Sequence, residues 1–134
     1  MKITRATTYA ILAAAQLSES KAAPPVPCSR LAKLGNMPER FLLQVLRGMV
    51  NHGILTSTRG VEGGYRLTRP AEQISLLDIV EATEGPLAPA YPELIALAPT
   101  AQNHVAEAFD GIALEARQRL GEVKLSQLRP TACV

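Results

Sequence analysis

Near the start of the chain, apolar residues recur at the three-, four- and seven-residue intervals that place side chains on one face of a helix. Five residues form this stripe: Ala6, Tyr9, Ala10, Ala13 and Leu17. Lys2 and Arg5, which precede an alanine-rich run, also resemble the start of a short signal peptide. The regular stripe favours a structural helix, so we expect the first helix of the fold here.

A second and a third helix are predicted after a proline-rich connection. Residues 28–34 predict a two-turn helix, which Gly35 is expected to end in the left-handed conformation. The third helix is predicted over residues 38–51, because Pro38 suits a first helical turn and Glu39 complements the helix dipole there. Its expected buried face is apolar: Phe41, Leu42, Val45, Leu46, Met49 and Val50. Two short helices joined by a glycine-containing turn are typical of a helix-turn-helix.

Two β-prone runs follow, at residues 54–58 and 65–68, and both contain β-branched or aromatic residues. The connection between them holds three glycines, which can adopt positive φ without a steric penalty, and Arg59 stands where the first strand ends. A helix-turn-helix followed by such a hairpin predicts a winged helix, although the hairpin alone is equally typical of proteins that bind no nucleic acid.

The second half of the chain predicts two more helices. Ser75 and Asp78 have the spacing of a capping box, and Gly85 with Pro86 should stop that helix after Glu84. A long helix of about 30 Å is expected over residues 100–120. Its apolar stripe is Val105, Ala108, Phe109, Ile112, Ala116 and Leu120. This stripe predicts packing against a second copy in a two-fold homodimer, and the alternative is packing on the same chain.

The two halves of the chain carry opposite net charges, although the net charge of the whole chain is only +2. Residues 1–70 contain ten Lys or Arg and three Glu, a net charge of +7, whereas residues 71–134 contain four basic and nine acidic residues, a net charge of −5. A basic half beside an acidic half predicts that one part of the protein contacts a polyanion.

Other features restrict the class of protein. Two cysteines are too few for a disulfide framework and favour a reducing cytoplasm. No apolar run reaches the roughly eighteen residues that a membrane span requires. The two histidines and the scattered carboxylates form no set of nucleophile, base and acid, so we do not expect an enzyme.

The third predicted helix carries a polar stripe opposite its apolar face. Its members are Arg40, Gln44, Arg47 and Asn51. The forked side chains of Arg and Gln match the edges of guanine and adenine, so the stripe predicts contact with the major groove of double-stranded DNA. Two alternatives stay open, a solvated helix face and a winged helix that binds another protein without specific DNA binding.

Together these residues resemble the Rrf-two family of winged-helix regulators over nearly the whole chain. The resemblance is carried by Lys2-Ile3-Thr4-Arg5 before Tyr9-Ala10, then by Leu31-Ala32, Phe41-Leu42, Gln44-Val45-Leu46, Gly53-Ile54-Leu55, and Arg59-Gly60 through Gly63-Gly64-Tyr65-Arg66-Leu67. It implies a bacterial homodimeric transcription regulator, usually a repressor, that binds a palindromic operator. The implied fold is mainly α with a small β-hairpin, a winged helix-turn-helix over residues 1–84 and a proline-rich loop with a dimerisation helix over residues 85–134.

The resemblance also implies which residues contact DNA. Arg40 and Gln44 would lie on the recognition helix, and Arg59 would enter the minor groove. The full expected set is Thr4, Arg5, Arg30, Pro38, Glu39, Arg40, Gln44, Arg47, Arg59, Gly60 and Tyr65. Leu43 stands where the cluster-dependent regulator of the family has an acidic residue that discriminates between operators, so the operator sequence does not carry over.

The family's cofactor is the main departure. Cluster-binding members carry three cysteines in the loop after the fourth helix, whereas residues 85–102 contain none, and His104 is expected to be a surface residue at a helix start. Iron–sulfur clusters are held mainly by thiolates, so we expect no cofactor. The sequence indicates no particular small-molecule effector.

Cys28 has two interpretations. At the start of the second helix, near Arg30 and Lys33, its thiol would have a lowered pKa and could act as a redox switch, alone or bonded to Cys133. Alternatively it is a small core residue, as free cysteines commonly are.

Overall fold

The computed structural model describes residues 3–19, 24–89 and 93–131. Over these residues the protein is mainly α-helical with one antiparallel hairpin, as predicted. The elements are α1 (Arg5–Glu19), α2 (Cys28–Gly35), α3 (Glu39–Asn51), β1 (Leu55–Thr58), β2 (Gly64–Leu67), α4 (Leu76–Glu84) and α5 (Pro99–Glu122), with single 3-10 turns at Ala71–Gln73 and Leu125–Gln127.

The core lies where α1, α3 and α4 pack against one another. The stripe on α1 faces this core: Ala10, Ala13 and Leu17 are buried, and Ala6 and Tyr9 are partly buried against it. Small alanine side chains let the neighbouring helices approach α1 closely.

On α3, Leu42, Val45, Leu46 and Met49 are buried, as expected. The prediction was wrong for Phe41, which is 37% exposed, and Val50 is only partly buried. Phe41 lies at the edge of the apolar face, where its ring meets Tyr9 of α1 edge-to-face with centroids 5.6 Å apart. In this geometry the positive edge of one ring meets the negative face of the other, which stabilises Phe41 although its side chain is not fully buried.

The turn between α2 and α3 corrects a second expectation. Gly35 is the last residue of α2, and Asn36 takes the left-handed conformation with φ 50° and ψ 51°. Asparagine tolerates this region better than most residues. Gly35 instead provides space, because a Cβ there would lie 2.5 Å from the Cε of the buried Met37. Pro38 precedes α3 rather than forming its first turn.

The hairpin pairs Leu55 with Leu67 and Thr58 with Gly64. We call residues 59–63, which join its strands, the wing tip. β2 also bonds to the segment before α2, because Val26 and Tyr65 exchange two backbone hydrogen bonds, of 3.0 and 2.8 Å. The hairpin is therefore fixed through β2 to the segment before α2.

The capping box of α4 is confirmed. Ser75 Oγ accepts from the Asp78 N–H at 3.1 Å, and the Asp78 carboxylate accepts from the Ser75 N–H at 2.9 Å. Arg69 bonds the same carboxylate at 3.2 Å, which ties the end of the hairpin to the start of α4. Gly85, with φ 83°, ends the helix.

Helix α5 has 24 residues and is about 36 Å long. None of its residues is buried, and Ile112 in its apolar stripe is 64% exposed. It contacts α4, where Arg117 bonds Glu81 at 2.8 Å. After α5 the chain returns to the core, because Leu125 is fully buried and its N–H donates to the Ile74 carbonyl at 2.8 Å. No helix within the described ranges is long and apolar enough to cross a membrane.

Candidate nucleic-acid interface

The predicted polar stripe on α3 is exposed. Arg40, Gln44, Arg47 and Asn51 all face away from the core, because the opposite face of the same helix is held by α1, α2 and α4. Pro38, which precedes this helix, and Glu39, which begins it, are exposed as well. The side chains expected to read bases thus stand on a rigid helix with free access to a ligand.

The wing tip lies beside the C-terminal half of this stripe. A cleft of about 400 Å³ separates α3 from the hairpin, and both Arg47 and Arg59 line it. Tyr65 and Cys28 line it too, so the structure brings together four residues from three separate segments of the chain. Two guanidinium groups at one cleft produce a positive site suited to phosphate oxygens.

Gly60 and Gly64 shape this part of the hairpin. Gly60 has φ 111° and is exposed, with open space where a Cβ would lie. Gly64 has φ 153°, and a Cβ there would lie 2.4 Å from the carbonyl carbon and oxygen of Val26. Gly64 therefore lets β2 approach the segment before α2, which holds the wing beside α3.

The N-terminal residues lie at the start of α1. Arg5 is exposed, whereas the Thr4 hydroxyl accepts from the Thr7 N–H at 3.3 Å and donates to the Glu84 carboxylate. The pKa of Glu84 is lowered by its hydrogen bonds from Thr4 first and then from Thr7. Sequence analysis missed Glu84, because eighty residues separate it from Thr4 and no motif links the two.

Cys28 lies at the first position of α2, as predicted, but the expected low thiol pKa is wrong. Partial burial raises the pKa of the Cys28 thiol, and the nearby carboxylate of Glu39 raises it further. The thiol is oriented towards the Glu39 carbonyl oxygen at 3.7 Å and packs against the edge of the core. Arg30 is exposed on α2 and does not reverse these effects. Cys133 lies outside the described residues.

Residues 3–130 match the sequence model of the Rrf2 family, described as an iron-dependent transcriptional regulator. The chain is 30% identical over 89 residues to the HTH-type transcriptional regulator CymR of Bacillus subtilis, covering 66% of this chain and 64% of CymR. It is likewise 30% identical over 89 residues to protein rrf2 of Nitratidesulfovibrio vulgaris, covering 66% and 59%.

Among solved structures, that of CymR, called the global cysteine regulator of Bacillus subtilis, superposes with a TM-score of 0.77 at 25% identity and covers 94% of each chain. The chain spans 55–64% of the length of four curated relatives from Mycobacterium tuberculosis, Bacillus subtilis and Rhizobium meliloti.

The family description implies iron, and the described residues do not fit an iron–sulfur cluster. Across the described segments no three side chains of His, Cys, Asp or Glu converge as a metal-binding set. His104 is exposed on α5, and His52 uses its Nδ1 in a 2.9 Å contact with the Gly48 carbonyl. Cys28 is the one cysteine of the described segments, and a single thiol does not supply the several thiolates that hold such a cluster.

Proposed function

The chain belongs to the Rrf2 family of transcriptional regulators, and we propose that it is a DNA-binding transcription regulator that acts as a repressor. Its ligand is a palindromic operator in double-stranded DNA, bound by a homodimer in the bacterial cytoplasm. The observation that carries the proposal is the placement of two arginines from separate elements, Arg47 on α3 and Arg59 on the wing tip, at one cleft beside an exposed polar helix face. A helix and a wing arranged in this way match the major groove and the adjacent minor groove.

The proposed contacts divide by chemistry. Arg40 and Gln44 read base edges in the major groove, and Arg59 with Gly60 enters the minor groove. Four of the remaining residues donate to the sugar–phosphate backbone: Arg5, Arg30, Arg47 and Tyr65. Pro38 and Glu39 belong to the same face at the start of α3, where the Glu39 carboxylate can accept only from a base edge such as the cytosine amino group. Thr4 belongs to the same surface, and its hydroxyl acts through Glu84, to which it donates a hydrogen bond.

The homodimer is proposed from the exposure of α5. A 24-residue helix without a buried residue leaves its apolar stripe in water, and Ile112 is 64% exposed. The same stripe on a second copy would cover it about a two-fold axis. In this arrangement residues 1–84 bind DNA and residues 85–134 make the dimer, so the two recognition helices meet two half-sites of one operator.

The experiment compares substitutions on two DNA duplexes, the promoter region of the protein's own gene and a random sequence of equal length. Arg40→Ala and Gln44→Ala should each weaken promoter binding by about 1–3 kcal/mol and random binding much less. Arg129→Ala, which removes a charge from an exposed site near the C-terminal end, is the matched control.

Arg59→Ala tests the wing separately. It should weaken binding most on duplexes with narrow A·T-rich minor grooves, because the negative potential is deepest there. Equal losses on every duplex for all three variants would contradict the proposed reading residues. A wild-type protein that fails to distinguish the promoter from random DNA would contradict operator binding itself.

A further inference from the structure

Four polar side chains join the start of α1 to the end of α4. The Thr4 hydroxyl donates to Glu84 Oε1, and the Thr7 hydroxyl donates to the same oxygen at 2.5 Å. Thr7 and Thr83 place their hydroxyl oxygens 2.8 Å apart, and Thr7 is fully buried. We call these four residues the threonine–glutamate cluster.

The hydroxyl protons of Thr4 and Thr7 are both directed at Glu84 Oε1. The Thr83 hydroxyl oxygen lies 2.8 Å from Thr7 Oγ1 and 3.1 Å from the Val80 carbonyl oxygen, so its one proton has two acceptors within reach. The ionised Glu84 carboxylate can only accept, and it therefore sets the direction of the two bonds from Thr4 and Thr7. The bonds from Thr4 and Thr7 lower the pKa of Glu84, in agreement with this arrangement.

The cluster borders the proposed DNA-reading surface, and Glu84 itself is exposed. Thr83 lines a groove of about 190 Å³ together with Ala6 of α1 and Gln44 of α3. Arg5 follows Thr4 in the chain, and Tyr9, one turn further along α1, meets Phe41 of α3. The position of the α1 N-terminus therefore sets the position of Arg5 directly. It also affects the position of Gln44, through the contact of α1 with α3.

We propose that Glu84 is a positioning residue for operator recognition, which holds the N-terminus of α1 against α4 and thereby places Arg5 and the Gln44 edge of α3 for DNA. This inference rests on the proposed function. Glu84 makes no DNA contact in this role, because its Oε1 is occupied by two threonine protons and its charge would repel phosphate.

The experiment measures the ratio of operator affinity to random-DNA affinity for Glu84→Gln, Thr4→Val and Thr4→Ser. The glutamine and valine variants should each lower the ratio about fivefold, the worth of one hydrogen bond, whereas Thr4→Ser keeps the hydroxyl and should retain the wild-type ratio. Glu107→Gln, on the exposed side of α5, is the control for a lost negative charge. Loss of negative charge alone would raise both affinities equally and leave the ratio unchanged.

A double variant separates positioning from general destabilisation. The ratio reports base reading, so if Glu84 acts on it through Gln44, Glu84→Gln combined with Gln44→Ala should lower the ratio no further than Gln44→Ala does alone. Additive losses, an unchanged ratio in Glu84→Gln, or a Thr4→Ser variant as weak as Thr4→Val would each overturn the proposal. Failure of the proposed function is distinct, because the wild-type protein itself would then show a ratio near one.

Discussion

The substitution Gly64→Ala should detach the wing from the helical part of the protein. A Cβ on Gly64 would lie 2.4 Å from the carbonyl atoms of Val26 and 2.7 Å from the nitrogen of Pro27. All three are backbone atoms, so no side-chain rotation relieves the overlap. β2 must move away, and the two hydrogen bonds between Val26 and Tyr65 must break or lengthen.

The magnitude follows from these losses. Two neutral backbone hydrogen bonds contribute about 0.5–1.5 kcal/mol each to stability. An alanine at φ 153° adds about 1–3 kcal/mol of backbone strain. We therefore expect Gly64→Ala to lower the free energy of unfolding by about 2–6 kcal/mol. Arg59 would lose its fixed place beside α3, so operator affinity should fall as well.

Urea denaturation at one fixed protein concentration measures this change, since a dimer's stability depends on concentration. Gly60→Ala is the matched control for stability, because Gly60 also has a positive φ, 111°, but open space around its Cβ position. It should carry only the backbone strain, about 1–3 kcal/mol. Equal destabilisation by the two substitutions would refute the close approach of Gly64 to Val26 as the reason for glycine there.

Three further predictions concern charge and protonation. If a dimer neutralises about eight phosphates, the logarithm of the operator binding constant should fall with the logarithm of the salt concentration at a slope of about −7. A slope shallower than about −2 in a filter-binding series would contradict the prediction that the basic half of the chain binds DNA. Because the pKa of the Cys28 thiol is raised, iodoacetamide at neutral pH should alkylate this thiol several-fold more slowly in the folded protein than in urea. Equal alkylation rates, measured by mass spectrometry, would restore the hypothesis that Cys28 is a redox switch. Because the pKa of Glu84 is lowered in the folded protein, the wild type should exceed Glu84→Gln in stability by the full amount at neutral pH. This difference should shrink below about pH 4.3 and vanish once the pH falls below the pKa of Glu84 in the folded protein. A difference in melting temperature that stays constant down to pH 2 would be inconsistent with the cluster.

Local patterns predicted much of the fold. The stripe on α1, the buried face of α3 from Leu42 to Met49 and the capping box at Ser75 all came from spacings within one element. Such spacings are set by helix geometry and by orphan backbone groups at helix ends, which depend on neighbouring residues only. The exposure of Arg40, Gln44 and Arg47 followed from the same periodicity.

Features that depend on contacts between distant segments were missed or wrong. Gly35 was expected to take the left-handed conformation that ends α2, but Asn36 takes it, and Gly35 lies against the side chain of Met37. The thiol of Cys28 was expected near arginine and lysine, yet the carboxylate of Glu39, eleven residues later, and partial burial dominate its pKa. No periodicity reveals that Glu84 meets Thr4.

The return of the chain to the core at Leu125 has a consequence for chimaeras between relatives. Leu125 and Ile74 are both fully buried, and the Leu76 N–H donates to the Val123 carbonyl at 2.8 Å. The proposed division between residues 1–84 and 85–134 therefore separates two functions, DNA binding and dimerisation, but both parts contribute to one folded core. A graft that exchanges residues 85–134 as a block would place a foreign segment in the native core. A workable exchange must therefore keep the native residues 123–128, or replace them together with the surface around Ile74 that receives them.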